Sequence, residues 1–340
     1  MKAVVIEKPG KVAVHELVKP RPDREEVLLR MRYVGFCGSD LSTYLGKNPM
    51  VSYPRIPGHE ISGEIVEMGE EVPDGYAAGD AVTVVPYTEC GTCPSCRRGR
   101  SYACRVNQTL GVQREGAMQE YITVPWQKIL LAPKLNELEL AMVEPLTVGF
   151  HAIQRGRVEQ HDLVMVLGCG MIGAGAVAAA SQRGARVIAV DIDDHKLELA
   201  VALGAQYTIN SKARDIHTEI QRLTLGDGPD VIVEAAGNPL TYRLAVDEAA
   251  FTGRIVCIGY TGSEVSFATR LFVQKELDIM GSRNAAPDDF KAVISYLGKG
   301  TFPIDSMITR KIGPGEAGEA LEEWAADPGK VMKILIDFKS

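Results

Sequence analysis

Residues 163 to 180, LVMVLGCGMIGAGAVAAA, form an eighteen-residue run without a charge. The run is long enough for a membrane span, yet its glycines and alanines match hydrocarbon poorly. It reads better as a buried strand, a glycine turn and the start of a helix. Downstream, RVIAVDI, QYTIN, PDVIVEAAG, RIVCIGY and LDIMGS have the composition of strands, and DDHKLELAVALGA has that of a helix. Such alternation predicts an α/β fold with a doubly wound parallel sheet. The tail, KVMKILIDF, reads as one more strand, which needs a sheet to join. At the other end, MKAVVIEKPGKVAVHEL offers only four apolar residues in a row before Glu7, too few for a signal-peptide core, so a cytoplasmic protein is expected.

Composition narrows the class. The 340 residues, 46% hydrophobic and 24% charged, suit an ordinary globular chain of two domains. A formal charge of −7 disfavours nucleic acid or an anionic bilayer as the main partner.

The chain has seven cysteines, and four stand close together: Cys90, Cys93, Cys96 and Cys104, spaced Cys-x2-Cys-x2-Cys-x7-Cys. Short spacings let successive thiolates aim at one point, and four thiolates leave no open position, so this cluster predicts a structural zinc. Arg97, Arg98, Arg100 and Arg105 then balance the tetrathiolate's negative charge. Chemistry requires an incomplete shell. Cys37, His59, Glu60 and Glu144 supply a thiolate, an imidazole and carboxylates that can hold zinc and leave room for a substrate oxygen. Cys169 and Cys257 read as packing residues.

Gly168, Gly170 and Gly173 stand in Gly-x-Gly-x-x-Gly register, with Met171 and Ile172 opening the helix. Their roles are a tight turn, close approach to a pyrophosphate, and helix–strand packing. Asp191 ends the next strand, where a carboxylate can accept hydrogen bonds from the ribose of NAD. With Asp193 and Asp194 beside it, a 2′-phosphate would be repelled, so NAD is expected over NADP.

GHEISGEIVEMG, residues 58 to 69, resembles the zinc signature of medium-chain alcohol dehydrogenases, Gly-His-Glu-x2-Gly-x5-Gly; CGSD around Cys37 and the cysteine lobe sit where that family carries them. The resemblance spans nearly the whole chain. It implies a GroES-like, mainly antiparallel catalytic domain over residues 1–148, completed by about 297–340, and a Rossmann domain over 149–296, with the active site in the cleft. It implies two zincs per subunit, one catalytic and one structural, and a hydride passed from an alcohol to NAD. Glu144-Pro145 is similar to the sorbitol and threonine dehydrogenase branch. Either Glu60 or Glu144 can complete the metal shell. Asp40 is expected to orient His59, and Ser39 to take the substrate proton. Relatives carry a histidine five residues after the zinc cysteine; Ser42 stands here, which implies another proton outlet.

The segment MGSRNAAPDDF is similar to that of sugar-acid and polyol dehydrogenases, including L-galactonate-type enzymes, and makes Arg283 and Asn284 substrate candidates. Arg283 could instead cap its strand or pair with Asp288 or Asp289. A polyol or sugar acid is the expected substrate and a dimer or tetramer the expected assembly. Two alternatives stay open: an L-threonine or amino-alcohol dehydrogenase, and a non-catalytic nucleotide-binding scaffold.

Overall fold

The computed structural model describes residues 1–339. The chain divides into two compact units: Met1–Glu144 with the residues from Ala286 onward, and Pro145–Ala285.

The first unit is built on Glu26–Gly35. Its sequence, EVLLRMRYVG, alternates so that Leu29 and Met31 are wholly buried while Arg30 and Arg32 reach across to Glu64 on the neighbouring strand. Glu26–Gly35 pairs antiparallel with Glu60–Met68, Tyr121–Pro125 and the tail strand Ile334–Asp337. The sheet continues from Glu60–Met68 through Ala81–Val84 to Ile129–Leu131, and from the tail strand to Arg310–Ile312. The tail strand thus finds the sheet its sequence requires. A two-stranded ribbon, Lys2–Lys8 with Lys11–Glu16, stands beside it.

The second unit carries a parallel sheet of six strands. Counted along this unit, the order is 3-2-1-4-5-6: Tyr207–Asn210, Arg186–Asp191, Leu163–Leu167, Val231–Glu234, Arg254–Cys257, Asp278–Gly281. This is the doubly wound order, in which ligands bind where the winding reverses. The long apolar run resolves into the innermost strand, Leu163–Leu167, and the helix Met171–Gln182, whose face from Gly173 to Ala180 is buried. Its hydrophobicity serves a strand covered on both faces. Among the described residues no helix is long and apolar enough to cross a membrane.

The boundaries fall earlier than residues 148 and 296. The first lies at Glu144–Pro145, inside the helix Glu137–Arg155. The second lies before the helix Pro287–Leu297, which belongs to the first unit: its Phe290 is wholly buried and packs edge-on against Tyr87, with ring centroids 6.3 Å apart. In sequence this helix follows the last strand of the parallel sheet, but it packs in the first unit.

Candidate active site

Cys37 stands where the strand Glu26–Gly35 gives way to the helix Gly38–Tyr44. It is the helix N-cap, and its backbone N–H donates to the Asp40 carboxylate at 2.9 Å. Asp40 therefore orients Cys37, not His59, whose Nδ1 has no hydrogen-bond partner. The demands of a helix's first turn take precedence over the expected carboxylate–imidazole bond. Glu60 opens the strand Glu60–Met68 opposite Gly35. A Cβ on Gly35 would lie 2.0 Å from the Glu60 carboxylate, so the absence of a side chain there makes room for that group.

This framework brings Cys37, His59 and Glu60 together, with one ligand atom from each lying within 4.8 Å of the others. Glu144 lies outside that limit but within electrostatic reach of His59. Burial opposes charge on His59, yet Cys37, Asp40 and Glu144 hold its pKa well above the usual value. Burial also raises Glu60, against the pull of Lys333, to about 7. The proton on His59 is thus held by the negative groups around it, Cys37, Asp40 and Glu144, and the one on Glu60 mainly by burial. Its donor set, one thiol, one imidazole and carboxylates, fits a divalent metal with an open position. Ser39 lies in the same first turn, its Oγ buried and without a hydrogen-bond partner.

Two residues of this site escaped the sequence reading. Lys333 is 3% exposed and its Nζ lies 2.6 and 2.5 Å from the two Glu60 oxygens and 3.0 Å from the Phe36 carbonyl. The signal was a lone lysine in the apolar tail run, between Met332 and Ile334. Tyr87, also buried, donates its hydroxyl to Glu144. Nothing in VVPYTEC distinguishes that tyrosine from a packing residue.

The cysteine lobe is more regular. Sulfur separations are 3.5 Å for Cys93–Cys96, 3.8 Å for Cys93–Cys104 and 3.6 Å for Cys90–Cys104. Disulfide sulfurs lie about 2.05 Å apart, whereas a tetrahedron with zinc–sulfur bonds of about 2.3 Å has edges of about 3.8 Å. The four ligand atoms thus suit a closed metal site.

In the second unit the glycine turn has the shape a dinucleotide requires. Gly168 has φ +90°, a conformation that favours glycine. A Cβ on Gly173 would lie 1.9 Å from the Gly168 carbonyl oxygen, while one on Gly170 would meet nothing within 4 Å. Gly173 therefore permits close packing, and the surface above Gly170 is open to a ligand. Asp191 accepts the Cys169 N–H at 2.6 Å, and its other oxygen accepts from Ile192 and Asp193 at 2.7 and 3.0 Å. Asp193 caps the next helix and Asp194 accepts from Asn210.

Arg283 and Asn284 follow the last strand of that sheet. Arg283 is half-buried, makes no hydrogen bond or ion pair with a described residue, and lines a cavity of about 1030 Å³ with Tyr242, Cys257, Tyr260 and Phe272. Asn284 has φ +55°, a left-handed conformation that asparagine tolerates.

Known proteins resemble both parts of the chain. Residues 23–134 match the alcohol dehydrogenase GroES-like domain and residues 172–299 the zinc-binding dehydrogenase domain. The L-galactonate-5-dehydrogenase of Escherichia coli K12 is 31% identical over 338 residues, 99% of each chain. The sorbitol dehydrogenase of Halalkalibacterium halodurans is 33% identical over 332 residues, 96% of each. The crystal structure of the alcohol dehydrogenase rspB from Escherichia coli CFT073, complexed with NADH, superposes with a TM-score of 0.91 at 31% identity and 99% coverage of both chains.

Proposed function

The chain belongs to the zinc-type alcohol dehydrogenase family, and from that premise we propose that it oxidises a secondary alcohol of a polyol or sugar acid, with NAD as acceptor. The observation that carries this reading is the meeting of Cys37, His59 and Glu60 in one buried, electronegative pocket. The L-galactonate and sorbitol enzymes support the substrate class. Zinc, when bound, supplies Lewis acidity that favours an ionised alcohol, and NAD accepts the hydride.

The chain's own residues supply the rest. Cys37 and His59 hold the metal with a carboxylate from Glu60 or Glu144, the first tied to Lys333 and the second to Tyr87. Ser39 Oγ, buried without a partner, accepts the substrate's hydroxyl proton and passes its own proton on. Gly170 lets the backbone approach the cofactor's pyrophosphate, and Gly168, Met171, Ile172 and Gly173 form the turn and first helical residues beneath it. Asp191 receives the adenosine ribose, and Asp193 and Asp194 beside it support NAD over NADP. Cys90, Cys93, Cys96 and Cys104 hold the structural zinc. Arg283 and Asn284 contact the substrate.

NADH formation by the zinc-replete protein, on a panel of polyols, aldonates, simple alcohols and L-threonine, tests the reading. Turnover of a polyol or aldonate is expected. Activity confined to L-threonine overturns the substrate class and keeps the reaction.

A further inference from the structure

The buried and half-buried arginines divide into two groups. Arg30, Arg32, Arg55, Arg155, Arg254 and Arg310 each bond a carboxylate or a carbonyl. Arg114 and Arg283 do neither among the described residues. Arg283 has already been assigned to the substrate, so Arg114 is the unexplained one. Its Nε is shut off from solvent without an acceptor, as are those of Arg30, Arg32 and Arg55, but those three meet carboxylates through their Nη atoms and Arg114 meets none among the described residues. The carboxylate next to it in sequence is already engaged, since Glu115 accepts from Arg55 at 2.8 Å and from the Ile56 N–H at 2.6 Å. A buried donor normally finds a partner, and leaving a charged one unmet is costly. Burial without a counter-charge also lowers the pKa of Arg114.

The backbone that carries Arg114 is, by contrast, thoroughly bonded. Gly111 donates to the Arg114 carbonyl at 2.9 Å, and the Thr109 N–H donates to the Gln113 side chain at 2.8 Å. The segment is then clamped onto the residues just before His59: Gly116 N–H to Ile56 at 2.8 Å, Ala117 to Gly58 at 2.9 Å, Met118 to Pro57 at 3.0 Å. Glycine is needed on both flanks, because a Cβ on Gly111 would lie 2.5 Å from the Gly58 nitrogen and one on Gly116 2.3 Å from the Pro57 oxygen. The turn is thus fixed against the strand entry that supplies His59, while the guanidinium at its tip has no partner. This is the arrangement expected of a preorganised anchor whose acceptor arrives with a ligand.

We propose that Arg114 binds an anionic group of the substrate, a carboxylate or a phosphate on the sugar chain, and that this protein prefers acidic over neutral sugar alcohols. The proposal rests on the dehydrogenase reading above and names the substrate's charge. A guanidinium fork suits either anion.

The test uses zinc-replete enzyme saturated with NADH, which fills the pyrophosphate site. Thermal shifts are titrated with inorganic phosphate, with D-gluconate, and with sorbitol as the neutral control, on wild type, Arg114→Gln and Arg114→Lys. One or both anions are expected to stabilise the wild type saturably and to lose effect as salt is raised; which anion acts distinguishes phosphate from carboxylate. Arg114→Gln should weaken that anion roughly 10–100-fold, the size of one charged hydrogen-bonded contact. Arg114→Lys, which keeps the charge and loses the fork, should lie between. In turnover, Arg114→Gln should lower the ratio of kcat/KM for an acidic over a neutral substrate by a similar factor, mainly through KM. An equal response of Arg114→Gln and wild type overturns the proposal, as does a wild type indifferent to both anions. If that indifferent wild type still oxidises sorbitol with NAD, the dehydrogenase reading survives. Anion binding through Arg114 without oxidation of any alcohol keeps the anchor and removes the reading.

Discussion

The four sulfurs of the lobe come from one fifteen-residue segment, whereas the site around Cys37 draws on positions 37, 59, 60, 87, 144 and 333. The lobe closes through local turns, with its S–S separations set by residues 3, 11 and 14 positions apart. The other site exists only once Glu26–Gly35 has paired with Glu60–Met68 and with the tail strand. The ligands also differ in kind. The lobe offers four equivalent thiols, and the open site offers unlike groups whose carboxylates are each held by a different neighbour, a lysine and a tyrosine. Local, uniform construction suits a staple; long-range, mixed construction suits a site that must bind and release.

That contrast can be tested by removing one ligand from each site. Cys37→Ser should lower kcat by on the order of 10³ or more, since a metal's Lewis acidity contributes several kcal/mol, while the melting temperature stays near that of wild type. Cys96→Ser should do the reverse, lowering the melting temperature while the fraction still folded keeps its turnover. If the two variants exchanged phenotypes, the division of labour between the sites would be wrong.

The next largest effect is expected at Lys333. Replacing it with methionine leaves the Glu60 carboxylate buried without its counter-charge, a loss of about 3–5 kcal/mol that chemical denaturation of the zinc-free protein would report. Adding Glu60→Gln to Lys333→Met should restore part of that stability. A double variant no better than Lys333→Met would mean that the lysine acts through packing and not through Glu60.

Tyr87→Phe probes the second tether and should have the smallest effect. It removes the hydroxyl that Glu144 accepts from, at a cost of about 1–3 kcal/mol. Retention of the catalytic metal against a chelator should fall 10–100-fold, as when other outer-shell partners are lost, with the lobe metal unaffected. Equal chelation rates in variant and wild type would detach Tyr87 from the site.

What could be read from the sequence follows the same division. The parallel sheet was visible because its central strands are buried on both faces and appear as unbroken apolar runs, as in Leu163–Leu167 and Val231–Glu234. The cysteine lobe was visible because its geometry is local. Cys37, His59 and Glu60 were found through family spacing, but the partners of Glu60 and Glu144 were not. Lys333 lies 273 positions from Glu60 and Tyr87 lies 57 from Glu144, distances no periodicity can bridge. The misassigned Asp40 shows the same limit from the other side, because a carboxylate three residues into a helix is claimed by the helix's own first turn. The helix Pro287–Leu297 has the right pattern, but pattern alone does not say which unit its apolar face joins.

Asp191 is bonded to the Cys169 N–H inside the glycine turn as well as to its own following residues. The carboxylate proposed to receive the cofactor's ribose is therefore also a fastening of the glycine turn. Evolution cannot retune the first duty without disturbing the second. A lineage moving toward a 2′-phosphorylated cofactor by replacing Asp191 alone would pass through an intermediate with a loosened turn. The arginine it needs and a new acceptor for the Cys169 N–H would have to arrive together.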